Sequence, residues 1–299
     1  MKVFLLGSGP AWSWTRVFLD KVTASAARAV EIVILDEALP RDVLAEFHAE
    51  PLDVLIVARQ ASYVDENGPA DTAAEAVRSE ARKAILAIEL ARRTSRMLLL
   101  RPAEATEWPR LIIDLLELST LDITLLNEPM PSEATVEDSG TAVPSSSSLL
   151  IQRTYLMPLF AAVANAASVV VTWPRDCFLY GDAPGEALPA TIEVAGRARI
   201  LAYGPYMPLP QGRWRATAYL GFSADIGSMP FMLESDTDSG ITRGFFEVKQ
   251  GGIFALELEF EVTDSFHPVE FRLVSQDSAL EGLASLIEIR LEQSLPPEA

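Results

Sequence analysis

The hydrophobic period of this chain changes once, and that change limits its fold more than any single residue does. Up to residue 128, runs of consecutive apolar residues at 3–6, 31–35, 54–57, 97–100 and 123–126 alternate with stretches at 12–23, 41–48, 72–93 and 108–118. In those stretches apolar residues recur at i, i+3 and i+4. Continuous apolar runs mark strands buried on both faces, and such strands pair in parallel through crossover helices. In the helix expected over 72–93, Asp71 is placed to cap it and Val77, Ile85, Ile88 and Leu90 mark its apolar side. The alternation predicts a doubly wound α/β domain.

From residue 169 the period falls to two. Stretches at 190–194, 214–222, 245–249, 254–263, 269–275 and 286–291 read as strands. Across 255–262, Leu256, Leu258, Phe260 and Val262 point one way and Glu257, Glu259 and Glu261 the other, so one face is core and the other is water. Many short antiparallel strands without intervening helices predict a sandwich of jelly-roll type. The expected fold class is α/β plus all-β: a doubly wound, mostly parallel sheet domain over 1–128, a linker and connecting helix over 129–168, and an antiparallel β-sandwich over 169–299. The segment 130–148 is rich in Pro, Ser, Thr and acids and ends in four serines, as a linker does. A helix is expected over 149–167. Gln152, Arg153, Pro158 and Asn165 interrupt its apolar run, so no membrane span is expected there.

At 299 residues and 49% hydrophobic content, the chain can bury two cores. Its formal net charge of −18 repels phosphate backbones and anionic membranes, which removes nucleic acid from the expected partners. Cys177 is the sole cysteine, so neither an intrachain disulfide nor a thiolate zinc site can form. The opening run Met-Lys-Val-Phe-Leu-Leu-Gly is too short for a secretory apolar region and lacks a small-residue cleavage site, and cytoplasmic synthesis without export is the expectation.

The densest chemistry lies in Tyr203-Gly-Pro-Tyr206-Met-Pro-Leu-Pro-Gln-Gly-Arg213-Trp214-Arg215. Flat rings stack on the apolar faces of sugars, and arginines donate forked hydrogen bonds to hydroxyls or carboxylates. The same letters also fit a tight turn followed by a core tryptophan. Alternation separates the two: on a strand Arg213 and Arg215 share a face and Trp214 takes the other, so either the arginines or the tryptophan meet a ligand.

Three other patterns invite a site. Gly7-Ser8-Gly9-Pro10-Ala11-Trp12 follows the first strand where backbone N–H groups and a helix N-terminus can hold an anion, making Gly7, Gly9, Ser13 and Thr15 candidate cofactor contacts. Trp12 stands where a dinucleotide fingerprint has its third glycine, and no P-loop lysine is present, so a purely structural turn is the competing reading. Glu234-Ser-Asp236-Thr-Asp238-Ser-Gly240 spaces carboxylates as calcium loops do, with Asp236 and Asp238 as candidate ligands, but it lacks the distal glutamate. A solvated turn is the better reading of it, and no other cofactor is expected. His48 and His267 have no Gly-x-Ser-x-Gly elbow beside them and read as structural.

In the order of Gly7-Ser8-Gly9, the strand end Val57-Ala58-Arg59 with Gln60-Ala61-Ser62, and the unit 97–118, the first half resembles sulfotransferase-like α/β domains. The resemblance implies a donor-nucleotide fold. The loop carries Pro10 where that family has its basic residue, which implies lapsed catalysis. A glycosyltransferase of polysaccharide assembly gives a similar order.

In its Tyr-Gly-Pro-Tyr and Leu-Pro-x-Gly-x-Trp-Arg segment, the stretch 170–293 is similar to β-sandwich modules of bacterial surface-polysaccharide systems. That likeness implies carbohydrate binding by Tyr203, Tyr206, Arg213, Trp214 and Arg215, with Trp173 and Tyr180 as outer contacts. The expected function is non-catalytic recognition of a bacterial surface glycan, displayed in several copies as on a receptor-binding spike of a phage-like particle. A protein partner or homo-oligomer through the first domain goes with it. A polysaccharide sulfotransferase or glycosyltransferase and a purely structural assembly protein are the alternatives.

Overall fold

The computed structural model describes residues 1–7, 9–25, 29–35, 53–58, 70–92, 94, 96–100, 102–117, 150–165 and 168–294. The strand expected at 123–126, the helix at 41–48, the linker at 129–148, and Ser8, His48 and the 59–62 segment lie outside the described residues. The chain divides into two compact units, Met1–Ser79 with Leu86–Val143, and Glu80–Ile85 with Pro144–Ala299.

In chain order the first half contains β1 (Lys2–Gly7), α1 (Gly9–Ser25), β2 (Glu31–Leu35), β3 (Val54–Ala58), α2 (Ala70–Ala91), β4 (Met97–Leu100) and α3 (Trp108–Leu115). All strand pairs are parallel, in the order β2-β1-β3-β4, so the connections reverse direction between β1 and β3. Val3 and Leu5 on one face of β1 and Phe4 and Leu6 on the other are all buried, the two-sided burial that continuous apolar runs imply. Val3, Leu5, Val54 and Ile56 pack with Phe18, Leu19 and Val22 of α1 and with Trp108 and Ile112 of α3. Trp14 stacks on Phe18 at 4.9 Å between centroids and closes one side of that cluster. Helix α2 begins at Ala70, one residue before Asp71, so Asp71 lies inside the helix and not at its cap.

Among the described residues from 150 on, a helical stretch contains a π-helical turn, Gln152–Leu156, running into α4 (Met157–Asn165). Pro158 has no N–H to return to the preceding turn. The ladder widens just before it, and the Met157 N–H reaches back to the Gln152 carbonyl. Then follow β5 (Val170–Pro174), β6 (Leu179–Tyr180), β7 (Ile192–Glu193), β8 (Arg199–Met207), β9 (Gly212–Phe222), β10 (Met229–Thr237), β11 (Gly240–Val248), β12 (Gly252–Val262), β13 (Val269–Ser275) and β14 (Leu283–Ser294). They form two antiparallel sheets. One runs β12-β9-β14-β5 with β7 on β14, the other β11-β10-β13-β8-β6, and the fold class is thus α/β plus an antiparallel β-sandwich.

The core lies between these sheets. Trp173 and Phe260 from the β9 sheet meet Phe271 from the β13 sheet edge-on at 5.9 and 5.5 Å, and Phe222 meets Phe231 at 4.8 Å. Each fully buried phenylalanine contributes roughly 1.5–3 kcal/mol of transfer free energy. Tyr155 also stands edge-on to Trp173 at 6.1 Å and donates its hydroxyl to the Pro208 carbonyl. The region 229–237, read from sequence as a turn at its distal end, is a full strand pairing with β11 and β13.

Candidate functional site

Strand pairing decides which side chains share a face, because directly paired residues project the same way. On β9, Trp214 pairs with Phe260 and Gln293, all buried, whereas Arg213 pairs with Glu261 and Arg215 with Glu259 on the outer face. The arginines therefore face water and the tryptophan faces the core. Trp214 is 1% exposed and its indole N–H donates to the Pro210 carbonyl at 2.9 Å. Trp173 is wholly buried against Phe271 and Tyr155. Neither ring can present a face to a ligand. The ligand role expected of both is corrected to a core role: each large ring sits at an inward strand position, where burial gains the most free energy.

Tyr203 and Tyr206 stand elsewhere, on the outer face of the opposite sheet. Tyr203 pairs with Arg272, and Tyr206 occupies a register shift of β8 opposite Val269 and Glu270. Tyr206 has φ +59°, a left-handed conformation that a bulky residue rarely adopts and that costs of order 1–3 kcal/mol. The conformation turns the Tyr206 ring out of strand alternation. Its hydroxyl donates to Glu270 Oε1 at 2.9 Å and its ring meets Tyr203 edge-on at 6.3 Å. The Tyr203 hydroxyl accepts the Gly185 N–H at 3.2 Å. The two rings make a corner, one as floor and one as wall.

Beside that corner lies a charge network that no single stretch of sequence displays. Arg272 donates to Glu234 Oε1 at 2.7 Å, to Asp236 Oδ2 at 3.1 Å and through two nitrogens to the Glu270 carboxylate. Arg243 donates to Glu234 Oε2 at 2.8 Å. The carboxylates of Glu234 and Glu270 are only 7% and 10% exposed although they project from an outer face. Hydrogen bonds to Glu270 foremost, and also to Glu234, raise the Arg272 pKa. Burial first, and then the bond to Glu270, push the Tyr206 phenol up to about 12. All three acids and both arginines are held in place before any ligand arrives, so their remaining lone pairs and N–H groups point in fixed directions.

The other candidates do not join this surface. Tyr180 pairs with Ala202, one residue out of step with the Leu179–Tyr203 pair, and so projects away from the tyrosine corner. Its hydroxyl donates to Asp182, whose carboxylate Arg199 grips at 2.6 and 3.1 Å while donating also to the carbonyls of Glu193, Val194 and Ala195. The hydrogen bond from Arg199 chiefly holds Asp182 below its usual pKa, and the bond to Asp182 holds Tyr180 above its own. This group ties down the 182–197 loop. Asp236 is committed to Arg272, and Asp238 accepts from the backbone N–H and hydroxyl of Thr263. The two carboxylates thus turn to different partners, and among the described residues no group of three potential ligands gathers to hold a metal.

At the first turn, Gly7 is explained by packing. A Cβ there would lie 1.9 Å from the Ala58 carbonyl oxygen, across the β1–β3 contact. Gly9 opens α1, Ser13 is exposed and Thr15 is wholly buried, so the two hydroxyls do not line one surface. Cys177 is held protonated, its thiol pKa pushed up by burial and then by Asp176.

Among the described residues no helix is long and apolar enough to cross a membrane. No family model matches this chain, and no curated protein matches it. Solved structures with a similar arrangement include TmCBM61 in complex with β-1,4-galactotriose, at 11% identity and a TM-score of 0.27, covering 42% of this chain and 82% of that one. Another is the C-terminal domain of EclA, a sugar-binding protein, at 17% identity and TM-score 0.24, covering 41% and 78%. A third is the CBM22-1–GH10 portion of Clostridium thermocellum xylanase 10B with xylohexaose, at 8% identity and TM-score 0.28; there 42% of this chain spans 28% of the longer one.

Proposed function

We propose that the second unit is a glycan-binding module whose contact surface is the outer face of the β11-β10-β13-β8-β6 sheet, centred on Tyr206. One observation carries the reading: Tyr206 is held in a strained backbone conformation that sets its ring against Tyr203 and over a fixed array of arginines and carboxylates. Strain of this kind clusters where a side chain must be aimed. A ring corner offers stacking for the apolar face of a sugar, and Asp236, Glu234, Arg272 and Arg243 offer acceptors and donors for its hydroxyls. Exposed arginines of the β9 sheet are too far from this corner in the pairing scheme to act with it, because they lie on the opposite sheet.

The residues used here only position and bind, so the reading is of a binder. The likeness of the 170–293 segment to modules of bacterial surface-polysaccharide systems points to a bacterial surface polysaccharide as the source of the glycan. The net charge of −18 favours neutral over acidic polymers through long-range repulsion. The first unit serves as a platform in this reading, which the packing role of Gly7 and the buried Thr15 support.

The test is a screen of the full chain against bacterial polysaccharides, followed by calorimetry with Tyr206→Gly. Glycine suits the left-handed backbone, so the strain relieved offsets part of the lost bond to Glu270, and this variant should stay folded, as far-ultraviolet circular dichroism would check, while losing the ring. Binding should weaken about tenfold or more, the equivalent of one stacking contact. Undiminished binding by Tyr206→Gly, or retention of no glycan by the intact chain, overturns the proposal.

A further inference from the structure

Among the described residues the outer strands of the two sheets are β5, β6, β7, β11 and β12, with β7 a two-residue strand on β14, and all but β11 are protected against pairing. β5 and β6 are short, at five and two residues. β12 carries Glu257, Glu259 and Glu261 along its outer face, so a second copy laid against it would set carboxylate against carboxylate. β11 is different. It is nine residues long, contains no proline, ends its sheet, and bears Ile241, Arg243, Phe245 and Glu247 on the outer face. Ile241 is 47% and Phe245 67% exposed, although they are large apolar side chains.

We propose that β11 pairs antiparallel with β11 of a second copy of this chain, about a two-fold axis through Phe245. This inference is independent of the glycan reading. In that register Phe245 of each copy meets Phe245 of the other, and Arg243 stands opposite Glu247 of the second copy, twice by symmetry. Both charged side chains are 48% exposed, and the Arg243 guanidinium has donors beyond the Nε committed to Glu234. Glu247 is ionised at neutral pH, its pKa lowered by hydrogen bonds from Ser228 and then Lys249. No other register sets Arg243 against Glu247: an axis through Gly244 leaves Arg243 opposite Phe245 and Glu247 opposite Ile241, with both charges unmatched. An axis through Arg243 sets the arginines against each other, one through Glu247 does the same to the glutamates, and one through Phe246 brings Arg243 to Lys249. Charge complementarity therefore selects both the occupant and the register. The product is one continuous sheet of ten strands whose two outer faces look the same way, with two Tyr203–Tyr206 corners on one side.

The experiment uses the full chain and charge reversal, read by light scattering and sedimentation. The parent should have twice the monomer mass of 32.6 kDa. Arg243→Glu alone and Glu247→Arg alone should each be monomeric, because each sets like charges opposite across the axis. Mixed in equal amounts they should form the heterodimer, since every cross-axis pair is then opposite in sign, and this restoration also shows that both variants are folded. A monomeric parent at micromolar concentration overturns the proposal. So does a dimer that survives both single reversals, or a mixture of the two variants that stays monomeric.

Discussion

The two outer faces of the sandwich use the same residues to different ends. On the β9 sheet, Arg215 meets Glu259 at 3.4 Å and Arg290 meets Glu292 at 2.6 Å, with side chains 40–78% exposed. On the β13 sheet, Glu234 and Glu270 are nearly desolvated and one arginine holds three carboxylates. In the first setting water screens each pair, and its net worth is about 0–1 kcal/mol. In the second each charge depends on the others, because removing one leaves a desolvated ion without compensation. The lesson is that a ladder of charge on a strand has no fixed meaning; the neighbours that cover it decide whether it is a wetted face or a rigid array.

The comparison breaks first at Arg272. Replacing it with alanine strands Glu234, Glu270 and Asp236, and chemical denaturation of the full chain should show a loss of about 3 kcal/mol. A loss under about 1 kcal/mol would mean that the array is solvated after all. Next in size is Tyr206→Phe, which keeps the ring and deletes one hydrogen bond to a buried carboxylate. It should cost about 1–2 kcal/mol while leaving glycan stacking intact, so a parallel loss of binding would reassign the hydroxyl to the ligand.

The pH dependence is a finer probe. The Tyr206 pKa is raised from 10.0 to about 12, so its contribution is fully present below about pH 10 and is lost as pH rises toward 12. Ultraviolet titration should show the Tyr206 phenolate forming late, along with that of Tyr180, and in Glu270→Gln the Tyr206 step alone should move back toward the ordinary value. The smallest effect belongs to the β9 face, where Arg215→Ala should change stability by no more than about 0.5 kcal/mol. A substantially larger cost would erase the distinction between the faces.

Part of this was readable without coordinates. The inward run Leu256, Leu258, Phe260 and Val262 and the outward glutamates between them follow from a period of two, and the four parallel strands described follow from continuous apolar runs. Alternation also stated that Arg213 and Trp214 must part company, but not which of them faces the core. The interior place of Trp214 depends on Phe260 and Gln293, which come from other strands. Glu234, Glu270 and Arg272 went unnoticed for a related reason. A charge interleaved with buried apolar residues, as in Val269-Glu270-Phe271-Arg272-Leu273, was the available signal, yet the partners in the array are up to 38 residues apart and no local pattern pairs them.

What the sequence determined by itself was local: the apolar strands of the first half, β7, β9 and β11 to β14 in the second, which side of those strands is apolar, and where the period changes, whereas β5, β6, β8 and β10 were not read as strands. Those follow from backbone geometry and the hydrophobic effect acting over a few residues. Only the tertiary structure decided which faces meet, because pairing partners are set by the collapse of the whole sandwich. That collapse buried Trp173 and Trp214, turned Tyr206 outward through a register shift, and gathered two arginines and three acids into one array around the nearly desolvated carboxylates of Glu234 and Glu270.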